Sequence, residues 1–362
     1  MMKRFKTILN ILLLTFPVGY LLGYIYGYIP VSFSPAPLAT YQNFELPADK
    51  KPIFYTPEYN IHFYGLENLH PFDTKKYGRI FDQLVAWELL DKSAIYSPPF
   101  PSDELLQTVH SKTFIDNLKT NRNALKVSEV FFTAFLPGPF SYKRMVVPQL
   151  YATSGTVLAA KSALDRGWAI NLSGGYHHAS SNDAGGFCFV ADISLAIQNI
   201  LSSTSAQRIM YVDLDAHQGN GPARDAINRD DIYVYDMFTA AIYPMDSKAY
   251  AGADTLIKLN TRTDDTAYMQ KLSSTLPAAI EAFKPELILY NAGTDVLQHD
   301  PLGYQSLTAN GVKDRDAFVF AQARSRNIPI AMVLSGGYQM NNAEVIAQSI
   351  RNLHNSKLIN LK

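Results

Sequence analysis

The sequence predicts a single α/β domain of three layers, with a central, mainly parallel sheet flanked by helices and a hydrophobic helix in front of it. Three observations carry that prediction. Short, largely apolar runs recur at Trp168–Leu172, Ile209–Ala216, Ile232–Met237, Glu286–Gly293 and Ile328–Gly337, each of strand length, as strands buried on both faces are. Between them lie stretches with helical spacing, "DISLAIQNILSS" and "AYMQKLSSTLPAAIEAF". Strands that alternate with helices imply a parallel sheet covered on both sides. Finally, four of the five runs lead into polar or glycine-rich loops, "SGGYHH", "DLDAHQGNG", "NAGTD" and "SGGY". In such sheets ligands bind beyond the carboxyl ends of the strands, so those four loops define one expected site.

From the N-terminus, Lys3, Arg4 and Lys6 precede a stretch without charge from Thr7 to Phe44. Within it, Ile8 to Ile29 is long enough to cross a bilayer, which takes about 20 residues. Tyr20, Tyr24, Tyr26 and Tyr28 lie toward its far end, where an interfacial aromatic belt would sit. Residues 1–30 are therefore expected to be a transmembrane anchor, with a cleaved signal or an interfacial segment as alternatives; "SPAPLA" is a weak cleavage candidate. The basic residues should stay inside, which places the rest of the chain outside the cytoplasm, periplasmic in a bacterium; Lys50 and Lys51, soon after the stretch, leave the cytoplasmic face as the alternative. Residues 31–52, rich in Pro, Ser and Ala, read as a linker. Residues 53–362 then form one domain, without a second linker, a repeat or a low-complexity run.

Composition narrows the function. The 32 basic and 32 acidic residues cancel, so no basic field advertises direct nucleic-acid binding. Hydrophobic content of 47% with 18% charge belongs to a folded chain. One cysteine, Cys188, excludes an internal disulfide and a cysteine-based zinc site.

The loops supply the chemistry. Asp213, Asp215 and His217 alternate along an extended segment and can project to one face. Buried carboxylates there call for a compensating cation, and oxygen plus imidazole donors suit zinc or a similar metal. Asp295 offers a further ligand from another strand end. Three protein ligands leave a position for water, as catalytic zinc sites do. Two of the eight histidines, His177 and His178, stand together after a glycine pair, positioned for general acid–base work. Tyr338 can donate a hydrogen bond to a developing oxyanion, although it is one of 22 tyrosines and could pack in a core.

Taken together, "GGYHHASSNDAGGFCFVADISLAI", "VDLDAHQGNG", "YNAGTDVLQHDPLG", "VLSGGYQ" and "LLQTVHSKTFIDNL" resemble the zinc-dependent histone deacetylases of the arginase/deacetylase fold. The likeness runs from about Tyr59 to Leu358, and "GLENLHPFDTKKYGRI" and "RGWAIN" are most similar to the class IV branch. It implies Asp215, His217 and Asp295 as zinc ligands, His178 as general base and acid, His177 as its electrostatic partner and Tyr338 as the group that polarises the carbonyl. Gly186, Phe187, Tyr243 and Leu302 match lining positions of the acyl-lysine tunnel. Asp213 resembles the carboxylate behind His177 and, with Asp236, a potassium site.

Three departures stand out. Asn220 occupies the place of a carboxylate behind His178, which should make that ring a weaker base. Lys76 stands where many relatives have an arginine. No counterpart appears for the rim aspartate that holds the substrate backbone; an aromatic, apolar segment, Ser128 to Arg144, fills that region. The resemblance therefore implies removal of acetyl or long-chain fatty acyl groups from lysine amides of proteins or peptides. The competing readings are deacetylation of a small amine such as an acetylpolyamine, or a non-catalytic, membrane-tethered binding module. The sequence does not set the oligomeric state.

Overall fold

The computed structural model describes residues 34–62, 67 and 72–362. The expected hydrophobic helix at Ile8–Ile29 lies outside the described residues. Among those described, no helix is long and apolar enough to cross a membrane.

Seven strands form one parallel sheet in the order β1-β2-β7-β6-β3-β4-β5. They are β1 (Ile53–Phe54), β2 (Trp168–Asn171), β3 (Ile209–Asp213), β4 (Ile232–Thr239), β5 (Thr255–Leu259), β6 (Leu287–Asn291) and β7 (Ile330–Val333). All five expected runs are strands. β1 and β5 are additions at the two edges: β1 is two residues long, and β5 is largely half-buried.

Alternation along the strands sends side chains to two separate cores. Ile170, Met210, Val212, Ile288, Tyr290 and Met332 face one side. There they meet the helices Lys76–Ala86, Asp265–Phe283, Ala309–Arg324 and Asn342–Asn355. Ala169, Ile209, Tyr211, Leu287, Leu289 and Ala331 face the other, under the helices Val147–Arg166 and Asp192–Ser203. The result is the expected helix–sheet–helix sandwich.

The stretch read as a linker is different from expectation in its described part. Leu38–Gln42 is helical, and Tyr41, Phe44 and Leu46 are buried in the second core. Tyr41 shares a 2.8 Å hydrogen bond with Ser154, and Arg166 donates to the Leu46 carbonyl at 2.8 Å. Its prolines and small residues suggested a free connector, but its spaced aromatic and aliphatic residues dock on the Val147–Arg166 helix.

The chain reaches β3 after crossing β7 and β6, moves out to β4 and β5, then returns to β6 on the other side of β3. The direction of travel reverses at the β3/β6 boundary, and such a switch point opens a crevice at the carboxyl ends of the strands.

Candidate active site

The loops after β3 and β6 face each other across that crevice. β3 ends at Asp213, and the next turns are held by aspartate side chains: the Asp215 amide donates to Asp213 Oδ1 (3.1 Å) and the His217 amide to Asp215 Oδ1 (2.9 Å). Asp215, His217 and Asp295 converge, with one ligand atom from each lying within 4.8 Å of the others, and all three are buried. Asp213 does not join them. Its side chain instead takes hydrogen bonds from Tyr211 (2.7 Å) and Asn291 (2.9 Å) and pairs with His177 Nδ1 at 2.9 Å. The expectation that Asp213, Asp215 and His217 share a face holds only for the last two, because the strand ends at Asp213 and the chain turns.

The electrostatics fit a cation. Burial and the neighbouring Asp215 push the Asp295 carboxyl up to about 7. Asp215 stays well below the usual range: burial works against ionisation, but His177 and His217 outweigh it. His217 is raised to about 10 despite burial, because both carboxylates accept from it. Two buried carboxylates held together by borrowed protons are the donor set that a divalent cation satisfies.

The paired histidines sit in a loop shaped by Asp192, which accepts from the amides of Gly175 (2.9 Å) and Tyr176 (2.8 Å). His177 is raised to about 9: burial alone would lower it, but Asp213 and Asp215 prevail. His178 is held well below its usual value, first by burial and then by the positive charge of His177 and His217. Its Nδ1 lies 2.9 Å from Asn220 Oδ1. The Asn220 amide nitrogen donates to Asp246 at 3.2 Å, which fixes the amide's orientation and makes His178 Nδ1 the donor, leaving Nε2 free to accept a proton. Asp246 in turn is paired with Arg224 at 2.5 Å.

Two cavities meet at this centre. An apolar one, about 880 Å³ including its open part, runs past Phe72, Tyr77, Met145, Cys188 and Phe189. The other opens to solvent past Glu129, Tyr243, Leu302 and Tyr304. His178, Gly186, Phe187 and Tyr338 line both. Gly186 has φ +51°, and a Cβ there would run into the His178 ring, so glycine is required. The Tyr338 hydroxyl is pushed well above its normal value by burial and by Asp295 and Asp215, so it stays protonated as a donor. Cys188 is buried with its thiol pushed up by burial, which removes it as a nucleophile.

Several further residues support the site, and two of them, Arg315 and Asp300, gave no signal in the sequence. Arg315, fully buried, donates to the carbonyls of Leu214 (3.1 Å), Gly293 (2.6 Å) and Ala292 (3.3 Å), pinning the two loops that carry Asp215, His217 and Asp295. Asp300 accepts from the Tyr338 amide at 2.9 Å. Lys76, also fully buried, donates to the carbonyls of Ser335 (2.7 Å) and Gly336 (2.9 Å). Burial lowers its pKa to about 8 although Asp295 and Asp215 oppose that. Asp236 is buried with Oδ1 unpartnered, and burial and Asp213 push its carboxyl well up.

Residues 70–353 match the histone deacetylase domain. The chain is 42% identical to histone deacetylase 2 of Arabidopsis thaliana over 316 residues, 87% of this chain and 82% of that protein.

The chain belongs to the histone deacetylase family.

Its identity to human histone deacetylase 1 is 28% over 305 residues, 80% of this chain and 61% of that one. Two solved structures share the fold. The HDA15 HD domain superposes with a TM-score of 0.68 at 18% identity, covering 84% of this chain and 87% of that one. Acetylpolyamine aminohydrolase from Burkholderia pseudomallei gives 0.65 at 17%, covering 83% and 98%. Family membership makes this chain a deacetylase-type hydrolase.

Proposed function

We propose that this family member hydrolyses acyl-lysine amides and accepts long acyl chains as well as acetyl. The observation that carries the reading is the junction of the two cavities at His178 and Tyr338. An amide carbon at that junction sends its amine side out through the mouth lined by Tyr243 and Leu302 and its acyl side into the apolar cavity.

Asp215, His217 and Asp295 would hold the cation, zinc by the family's habit, which supplies Lewis acidity toward water and a carbonyl oxygen. Two carboxylate ligands soften that acidity, so the protein groups share the work. His178 Nε2 takes the proton from the attacking water and later delivers it to the departing amine. His177, held as an imidazolium by Asp213, places positive charge beside the developing oxyanion. Tyr338 donates a hydrogen bond to that oxygen. Asp213 and Asp236 are further proposed to hold a structural potassium ion, supported by the unpartnered buried oxygen of Asp236.

Exposed Glu129 at the mouth favours one second reading, a small cationic amine substrate such as an acetylpolyamine, because it can pair with a distal ammonium. The membrane anchor, with the domain outside the cytoplasm, is proposed from the composition of residues 1–30 alone.

The test compares kcat/KM for acetyl-, octanoyl- and myristoyl-lysine peptides, with His178→Ala and chelated enzyme as controls. We expect turnover of all three, greatest for the longer chains and lost in both controls. Turnover of acetylpolyamines alone would replace the lysine reading.

A further inference from the structure

Six of the seven exposed large hydrophobic side chains among the described residues line the mouth or lie within six residues of a mouth-lining position along the chain. Tyr243 and Tyr304 line it, and Met245 follows two residues after Tyr243. Phe131 and Phe135 meet edge to face with ring centroids 5.3 Å apart, just beyond Glu129. Met340 lies two residues beyond Tyr338. Phe131, Met245 and Met340 are 73%, 68% and 77% exposed, which a water-facing rim does not need. The segment that carries Phe131 and Phe135 is basic in sequence, with six basic and two acidic residues from Lys112 to Arg144, of which Lys112 pairs with Asp116 and Lys126 with Asp183.

The described chain begins at the same end of the molecule. The Val147–Arg166 helix starts beside the site, where the Gln149 side chain bonds the Phe187 carbonyl (2.6 Å) and the Phe189 amide (2.8 Å), and ends where β2 begins. The N-terminal segment runs alongside it in the same direction. Ala36 bonds Phe100, whose ring packs on Tyr151; Tyr41 bonds Ser154; Leu46 meets Arg166. Ser34 is therefore near the mouth's end of that helix. Only Pro30 to Phe33 separate it from the apolar stretch ending at Ile29. Five residue steps reach at most about 18 Å.

We propose that the rim is a membrane-docking face. The short tether holds the mouth against the bilayer that carries residues 8–29, Phe131, Phe135, Met245 and Met340 enter the interface, and the basic flank meets anionic headgroups. This rests on the anchor reading of the N-terminal segment.

The test uses the full chain in vesicles of phosphatidylcholine and phosphatidylglycerol, in a Cys188→Ala background. An environment-sensitive fluorophore is placed singly at Phe131→Cys, Met245→Cys or Met340→Cys. Ser205→Cys, exposed before β3 at the opposite end of the sheet, is the control. We expect blue-shifted emission, quenched by nitroxide-labelled lipid, at the three rim positions and water-like emission at 205. A Phe131→Glu/Phe135→Glu pair should return the 245 and 340 probes to water while the chain stays with the vesicles. A vesicle-bound chain whose rim probes match position 205 overturns docking and leaves the anchor standing. Rim probes quenched by a second labelled copy, and not by lipid, assign the face to self-association and overturn docking. A chain that leaves the vesicles in carbonate wash, with rim probes in water, overturns both readings.

Discussion

At the residue scale, the basicity of His178, the proposed general base, is set by what stands behind it. An imidazole backed by a carboxylate gains charge readily; one backed by an amide does not. Here the carboxylate, Asp246, stands one group further away, behind Asn220, and is already paired with Arg224. Burial and two neighbouring imidazoles then hold His178 well below its usual pKa. A base works only while unprotonated, so activity falls as pH drops through its pKa, and a low pKa extends activity to acid. Asn220→Asp should raise that pKa and move the acid limb of the kcat/KM profile to higher pH, by about one unit as a typical effect of a close opposite charge. An acid limb that stays in place would show that Asn220 does not tune His178. Glu129, exposed at the mouth, touches only the entering amine in this reading. Glu129→Gln should therefore raise KM severalfold for cationic substrates and leave kcat nearly unchanged; a matching fall in kcat would mean that it acts on the chemistry.

At the element scale, the ligand loops are only as rigid as what lies under them. Arg315, in the second turn of Ala309–Arg324, reaches three carbonyls of those loops and pairs with Asp316, which Tyr290 and Ser349 also hold at 2.5 Å each. Arg315→Met keeps the volume but leaves the carbonyls and one carboxylate without the guanidinium. Breaking a buried pair in this way costs about 3–5 kcal/mol. A urea midpoint unchanged from the parent would refute that role. Such a residue is not legible in a sequence, because its partners Leu214, Ala292 and Gly293 are backbone atoms on other elements. What was legible followed from local pattern: the five apolar runs gave five strands, and the "DISLAIQNILSS" stretch gave a helix of the same bounds. β1 was too short for periodicity to register. The supposed linker misled because proline content describes backbone freedom, whereas Tyr41, Phe44 and Leu46 found a surface only in three dimensions. The four site loops were readable because parallel topology forces their strand ends together; the place of Asp213 behind His177 came from the resemblance and not from local spacing, which grouped it with Asp215 and His217, since it depends on where β3 stops.

Across the whole molecule, the carboxyl ends of the strands concentrate buried carboxylates, Asp192, Asp213, Asp215, Asp236 and Asp295, against few buried cations. A cation at Asp215, His217 and Asp295 should stabilise the entire fold, since ion binding to the native state adds about 2.7 kcal/mol at a hundredfold excess over Kd. The pH dependence follows from the same groups. Without the cation, Asp295 titrates near 7, above the ~3.9 of an unfolded aspartate. It therefore binds a proton that the unfolded chain does not, and that stability, present at low pH, is lost as pH rises through 7. His217, raised to about 10, acts in the same direction: its contribution is fully present below ~6.5 and declines as pH rises toward 10. Asp215, held well below its usual range, is ionised throughout the interval between pH 6 and 8 and does not alter the trend. The cation takes the place of those protons and binds better as they leave. Melting curves of the full chain in detergent, with and without chelator, should therefore separate more at pH 8 than at pH 6, and Asp295→Ala should close most of the gap. A gap that is constant across this range, or equal in the variant, would mean that the cation stabilising the fold lies elsewhere.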